Sequence, residues 1–355
     1  MSHREIFRAE GLPVLQNRMF PTAAKALASA MGDVVLVQDG STGLVRNEAF
    51  DSSKLAYDQD YQNEQACSGV FKKHLEEVAF IIKKHFYGKY LIEVGCGKGY
   101  FLEHLQTMGF NITGIDPAYE GDNQSIVKAH FDNELGLSAD GVILRHVLEH
   151  IPNPLSFLAR IASANRGKGV IYIEVPCFDW ICDHRAWFDI FYEHVNYFRL
   201  QDFFRMFGRV YESGYLFGRQ YLYVLADLES LRAPVVEPNN RIKIPKDFLA
   251  GIERTMSLVG TGGKRHNAIW GGASKGVIFS LYMQRAGLAI DEVIDTNPAK
   301  QGRYLAGSGL IVSAPKEALG RLNQSDNLFI MNSNYLNEIV VQSGNKFSYF
   351  TVDHE

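Results

Sequence analysis

Three glycines spaced two apart, Gly95, Gly97 and Gly99, stand behind Glu93 and enclose Cys96. Glycine lacks a Cβ, so the backbone N–H groups of such a turn can face a ligand at the positive end of the next helix. Asp116 ends the next apolar run, Asn111–Ile115, where a carboxylate can accept hydrogen bonds from two ribose hydroxyls. A second group comes after the run Gly169–Val175: Trp180, His184, Trp187, Phe188 and Asp189, then Tyr192, Glu193, His194, Asn196 and Tyr197. Histidine titrates near neutrality and suits a general base, so His194 is the candidate for proton removal. A third group is Gly271-Gly-Ala-Ser-Lys-Gly276. It carries Ser274 and Lys275 but no carboxylate, and would welcome an anionic phosphate.

These residues need elements to hold them. The apolar run from Tyr90, the glycines, and Phe101, Leu102 and Leu105 at helical spacing read as strand, tight turn and helix. Apolar residues from Ser68 to about Phe86 predict a helix ahead of that strand. Further short apolar runs precede Asp132 and the segment Arg145 to His150. Strands alternating with helices predict an α/β fold, a parallel sheet covered on both faces. Ligands of such sheets collect at the carboxyl ends of the strands. That rule gathers Glu93 to Gly99, Asp116, Asp132, Arg145 and His146 around a cofactor, with His150 completing the pocket. The runs Asn267–Trp270, Glu292–Asp295 and Asn327–Met331 predict a second, smaller α/β unit. The expected division is a small strand-rich module with a polar, tyrosine-rich stretch over 1–66, a larger α/β domain over 67–230, and a Rossmann-like domain over 231–355. The tyrosine-rich stretch could fold over a pocket and present Tyr57 or Tyr61.

At 355 residues the chain has room for two or three domains. Its 36 basic and 40 acidic residues give no electrostatic footprint for nucleic acid or an anionic membrane. No apolar run approaches the ~20 residues of a membrane span, and the first residues lack a secretory apolar region. Cys67, Cys96, Cys177 and Cys182 form no CxxC pair, so a reduced, cytoplasmic chain is the simplest expectation.

Three nucleotide sites compete for the first glycine turn. A phosphate-cradling loop would carry Gly-Lys-Ser/Thr, which is absent. A dinucleotide fingerprint would place its third glycine one residue later than Gly99. Glu93 would repel a pyrophosphate but not a cationic, amino-acid-bearing cofactor. The pattern resembles the S-adenosylmethionine (SAM) site of Rossmann-like class I methyltransferases. More of the chain is similar to the SAM-dependent sugar C-methyltransferase family: Leu148–Pro154, the stretch Phe188–Phe198, and above all Trp270–Gly276, Asp295–Gly302 and Asn334–Ile339. The resemblance implies methylation of a carbon beside the keto group of a nucleotide-linked sugar. His194 would then be the base, Glu193 or Tyr192 would orient it or bind the enolate, and Tyr61, Asn196, Ser274 and Lys275 would contact substrate. Two departures stand out. No cysteine precedes Cys67, whereas the family opens with a zinc module, so no metal is expected. Tyr192 also directly precedes Glu193, one residue closer than in the family signature. An O- or N-methyltransferase on the same scaffold and a non-catalytic SAM-binding partner are the rival readings.

Overall fold

The structure is a computed structural model that describes residues 4–55, 60–61, 67–234, 236, 241–259 and 265–353. Tyr57 lies outside them. The chain opens with β1 (Arg4–Pro13), β2 (Met19–Phe20), β3 (Met31–Gln38) and β4 (Val45–Asn47). β1, β3 and β4 form an antiparallel sheet whose last strand, β10 (Asn196–Tyr197), comes from the middle of the chain. The N-terminal strands are therefore sewn to the central part of the protein and do not stand apart.

The central sheet contains β5 (Tyr90–Val94), β6 (Asn111–Ile115), β7 (Ile126–Val127), β8 (Gly141–Arg145) and β9 (Val170–Pro176). After β10 come β11 (Val210–Leu216) and β12 (Tyr221–Asp227). The order is β11-β12-β9-β8-β5-β6-β7. The pairs from β7 through β9 are parallel, while β12 runs antiparallel to β9 and β11. The sheet is thus mixed, not all parallel: β12 joins β11 through a tight turn, which can only reverse the chain. β5 has β6 on one side and β8 on the other, so the strand order reverses there. That reversal opens the crevice at the carboxyl ends of β5 and β8.

The helix Gly69–Phe86 forms because Ser68 caps it, its Oγ accepting from Val70 N and Phe71 N. Phe71, Leu75, Val78 and Ile82 share a core cluster with Leu91, Ile143, Tyr172 and Leu225 of the sheet. Full burial of such a side chain contributes about 1.5–3 kcal/mol. Phe80, which the sequence spacing groups with them, is exposed.

The C-terminal unit comprises β13 (Asn267–Trp270), β14 (Glu292–Ile294), β15 (Tyr304–Leu305), β16 (Val312–Ser313), β17 (Asn327–Ile330) and β18 (Ser348–Thr351). Its parallel sheet runs β16-β14-β13-β17-β18 and reverses at β13, so a second crevice opens beyond Trp270. β15 pairs with β2, a second stitch to the N-terminal segment. Among the described residues no helix is long and apolar enough to cross a membrane.

Candidate active site

The two crevices open into one cavity of about 400 Å³. On one wall lie Glu93, Gly95, Cys96 and Gly97; on the other lie Trp270, Gly271, Ser274 and Lys275; between them stand Tyr61, Arg145, His146, His150 and His194.

The first turn leaves β5 with Gly95 N donating to Ile115 O at 2.8 Å and Gly97 N donating to Asp116 Oδ2 at 2.8 Å. Gly95, Gly97 and Gly99 all have positive φ. At Gly95 a Cβ would overlap Val147, whereas at Gly97 no atom lies within 4 Å of where a Cβ would stand. That open space borders the cavity. Gly99 sits at the start of the helix Tyr100–Thr107, and Asp116 braces the turn from behind, its Oδ1 accepting from Ala118 N. Asp132 is not brought in: its side chain caps a short turn, accepting from Glu134 N.

Glu93 is 3% exposed, and its Oε2 has no hydrogen-bond partner among the described residues. Burial pushes its carboxyl up to about 7, with Arg145 pulling the other way. Arg145 instead spends its Nε on Glu174 Oε2 at 3.1 Å and lies over the Phe101 ring. Glu174 also binds His74 at 2.8 Å, His146 at 3.2 Å and the Tyr172 hydroxyl at 3.0 Å. Burial alone would raise the Glu174 carboxyl, but Arg145, His74 and His146 hold it well below the usual range. Burial would lower His146, yet Glu149 and Glu174 push it up to about 9. Arg145 and His146 are therefore held as cations beside the cofactor wall.

On the far side of the first turn, His194 stands edge-on to His150 at 5.0 Å and to Phe191 at 4.9 Å. Among the described residues no hydrogen bond occupies its ring nitrogens. Burial, with His150 and His146 adding to it, holds His194 well below 6.5, so the ring is neutral. His150 Nδ1 donates to Glu193 O at 3.0 Å, which leaves its Nε2 as an acceptor. The Glu193 carboxylate is set behind the cavity wall. Its Oε2 accepts from Tyr61 Oη at 2.7 Å and its Oε1 from Gln16 N at 3.2 Å.

Two expected residues point elsewhere. Tyr192 is fully buried, its hydroxyl accepts from Asp51 N at 2.8 Å, and its ring fills the space that a Cβ at Gly32 would need. It anchors the N-terminal sheet and does not face the cavity. Asn196 donates to Leu148 O and Ile151 O, fixing the turn that carries His150. Tyr61, not Tyr192, lines the cavity.

The second turn repeats the first: Gly271 N donates to Ile294 O at 2.8 Å and Gly272 N to Asp295 Oδ2 at 2.9 Å. Its polar side chains are already engaged, however. Ser274, at φ 46°, donates to Asn17 Oδ1 at 2.8 Å. Lys275 Nζ lies 2.9 Å from Asp189 Oδ2, donates to Gln220 Oε1 at 3.1 Å and sits over the Trp180 ring. Sequence reasoning missed Asn17 and Gln220, which carry no local motif. Asp295 had a signal, because it ends a strand after a glycine turn as Asp116 does.

Comparison with known proteins agrees with this arrangement. Residues 62–210 match a family described as a methyltransferase domain, and residues 255–348 match a C-methyltransferase C-terminal domain. A ubiquinone biosynthesis O-methyltransferase of Colwellia psychrerythraea is 32% identical over 108 residues, 25% of this chain and 43% of that protein. One from Shewanella pealeana is 30% identical over 102 residues, 24% of this chain and 43% of that protein. The chain thus spans less than half the length of these curated relatives. Among solved structures, the Burkholderia thailandensis 1,6-didemethyltoxoflavin-N1-methyltransferase with bound S-adenosylhomocysteine is similar at 16% identity and a TM-score of 0.34. That match covers 45% of this chain and 80% of that one. A SAM-dependent methyltransferase from Archaeoglobus fulgidus is similar at 19% identity and a TM-score of 0.34, covering 43% and 94%.

The fold is Rossmann-like, and the central part of the chain matches a methyltransferase domain. That domain is followed in the chain by a C-methyltransferase C-terminal domain. The residues present fit SAM: a buried, unpartnered carboxylate oxygen on Glu93 suits its ammonium, and the space open at Gly97 leaves room beside the backbone.

Proposed function

We propose that the chain is a SAM-dependent methyltransferase that acts on a carbon beside the keto group of a nucleotide-linked sugar or a related small molecule, with His194 as general base. The observation that carries the reading is the neutral, unbonded His194 imidazole in a cavity shared by the SAM turn and the C-methyltransferase C-terminal module. When bound, SAM supplies an electrophilic methyl whose leaving group is a neutral thioether. Glu93, Gly95, Cys96 and Gly97 would hold it, with Asp116 at the ribose. The chain's own task is to make and hold a nucleophile. His194 Nε2 or Nδ1 takes the proton from the substrate carbon, with a carboxylate oxygen of Glu149 within 4.8 Å of a ring nitrogen. Tyr61 Oη gives its one proton to Glu193, so it braces that carboxylate and does not donate to the developing enolate. Positioning of the partners contributes on the order of 7–11 kcal/mol in well-oriented reactions. The substrate's far end would occupy the second crevice near Trp270.

The curated relatives are named O-methyltransferases, which favours oxygen as the rival acceptor. The two readings separate by isotope exchange. Nucleotide-sugars are first screened by thermal shift in the presence of S-adenosylhomocysteine, since a ligand of the folded state raises its apparent stability. Any binder is then incubated in D₂O with the protein and S-adenosylhomocysteine. Deuterium entering the carbon beside the ketone, and failing to enter with His194→Ala, is the expected result. O-methylated product without exchange would overturn the carbon reading.

A further inference from the structure

Glu149 touches no reacting atom in that chemistry. Yet it is 2% exposed, lines the cavity, and has an Oε2 without a hydrogen-bond partner among the described residues. A buried carboxylate oxygen left unpaired costs free energy unless something meets it. Its Oε1 lies 3.4 Å from His146 Nδ1, so one oxygen is held and the other is left for a ligand. One ligand atom each of Glu149, His150 and His194 lie within 4.8 Å of one another.

From this geometry we infer that Glu149, His150 and His194 form a site for a divalent transition metal of the zinc class, and that its occupancy blocks methyl transfer. Two imidazoles and a carboxylate are the donor set zinc accepts, with the fourth position open to the cavity. Bonds of ~2.0–2.2 Å place tetrahedral ligands ~3.3–3.6 Å apart, so the three side chains close in by about an ångström. The second layer is in place. His150 Nδ1 donates to Glu193 O, which fixes the ring and leaves Nε2 for the metal, and His146 holds Glu149.

The other cluster of this kind, His74, His146 and Glu174, is a poorer candidate. Its Glu174 oxygens are consumed by His74, His146, Arg145 and Tyr172, and the Arg145 guanidinium would repel a cation. A metal on His194 occupies the lone pair that takes the substrate proton, so the ion inhibits and does not assist. This last step rests on the assignment of His194 as base; the site itself does not.

Cobalt(II) titration of the metal-free protein tests the site without any substrate. The expected result is visible d–d absorption of a four-coordinate His and carboxylate site, displaced by zinc and weakened at least about tenfold by Glu149→Gln. No uptake, a thiolate charge-transfer band, or a spectrum indifferent to Glu149→Gln would overturn the site. Turnover is then compared with chelator and with zinc. Wild-type protein should lose turnover in zinc and regain it in chelator, and Glu149→Gln should shrink that ratio at least about tenfold. Stimulation by zinc would overturn the inhibitory role. If His194→Ala abolishes the cobalt spectrum but keeps turnover, the base assignment fails while the metal site stands.

Discussion

Cofactor affinity should depend on pH through Glu93, whose buried Oε2 has no hydrogen-bond partner among the described residues. Its carboxyl is raised to about 7 by burial, and only the ionised form attracts an ammonium. At a pKa of 7 the ionised fraction is about 0.76 at pH 7.5 and about 0.09 at pH 6. The Kd for S-adenosylhomocysteine should therefore rise about eightfold across that window, close to 1.2 kcal/mol. Glu93→Gln cannot ionise; it should bind more weakly at pH 7.5 and show a flat profile. The same group affects the apo protein with a defined sign. Its folded pKa lies above the unfolded value of 4.5, so the folded state holds the proton longer. Its stabilising effect is whole below about 4.5 and is lost as pH rises through 7. The full loss is about 3.5 kcal/mol, from the rise from 4.5 to about 7 at about 1.4 kcal/mol per pH unit. Glu93→Gln should thus raise apo stability at pH 8 while weakening cofactor binding. Isothermal titration at both pH values and urea unfolding of the two proteins check this. A wild-type Kd constant from pH 7.5 to 6, or an equal slope in Glu93→Gln, would refute the reasoning.

Three more outcomes rest on the same geometry. His194→Ala should reduce turnover about 10²–10⁴-fold while leaving the Kd of S-adenosylhomocysteine within about twofold, because the ring packs against His150 and Phe191 and not against the glycine turn. Gly97→Val should abolish cofactor binding by calorimetry, since φ is +55° there and the side chain would enter the open space. Lys275→Met strands the buried Asp189 carboxylate, which lies 2.9 Å from the ammonium. It should destabilise by about 3–5 kcal/mol in urea, and Asp189→Asn in the same chain should recover most of that loss. Without recovery, the pair is not what holds Lys275.

The first crevice was legible because it is local. Strand, glycine turn, helix and the aspartate of the next strand lie within Tyr90–Asp116, and spacing alone predicts those elements. The loop after β9 was legible as a place but not residue by residue. Bends at Tyr192 and Glu193 turn the phenol outward to Asp51 and the carboxylate behind the wall, while Asp189, Phe191 and His194 line the cavity. No spacing rule covers a bend. Lys275 was legible as a cation at a helix start, but the anion it meets is Asp189, 86 positions earlier, and not a phosphate. Tertiary pairing decided it.

The N-terminal segment shows why the site needs all three parts of the chain. β2 pairs with β15 of the C-terminal unit, and Arg18 bridges to Tyr61. Between those anchors, Gln16 N donates to the carboxylate of Glu193 while Gln16 O accepts from Ser274 N. The neighbouring Asn17 accepts from the Ser274 hydroxyl and donates to Tyr61 Oη at 3.4 Å. Two adjacent residues thus join the second glycine turn to the carboxylate and phenol behind His194. A module that has no cysteine ahead of Cys67 keeps its position by strand pairing and these hydrogen bonds. Its contribution to the site is therefore geometric: residues 16 and 17 hold the carboxylate of Glu193 and the hydroxyl of Tyr61 in place.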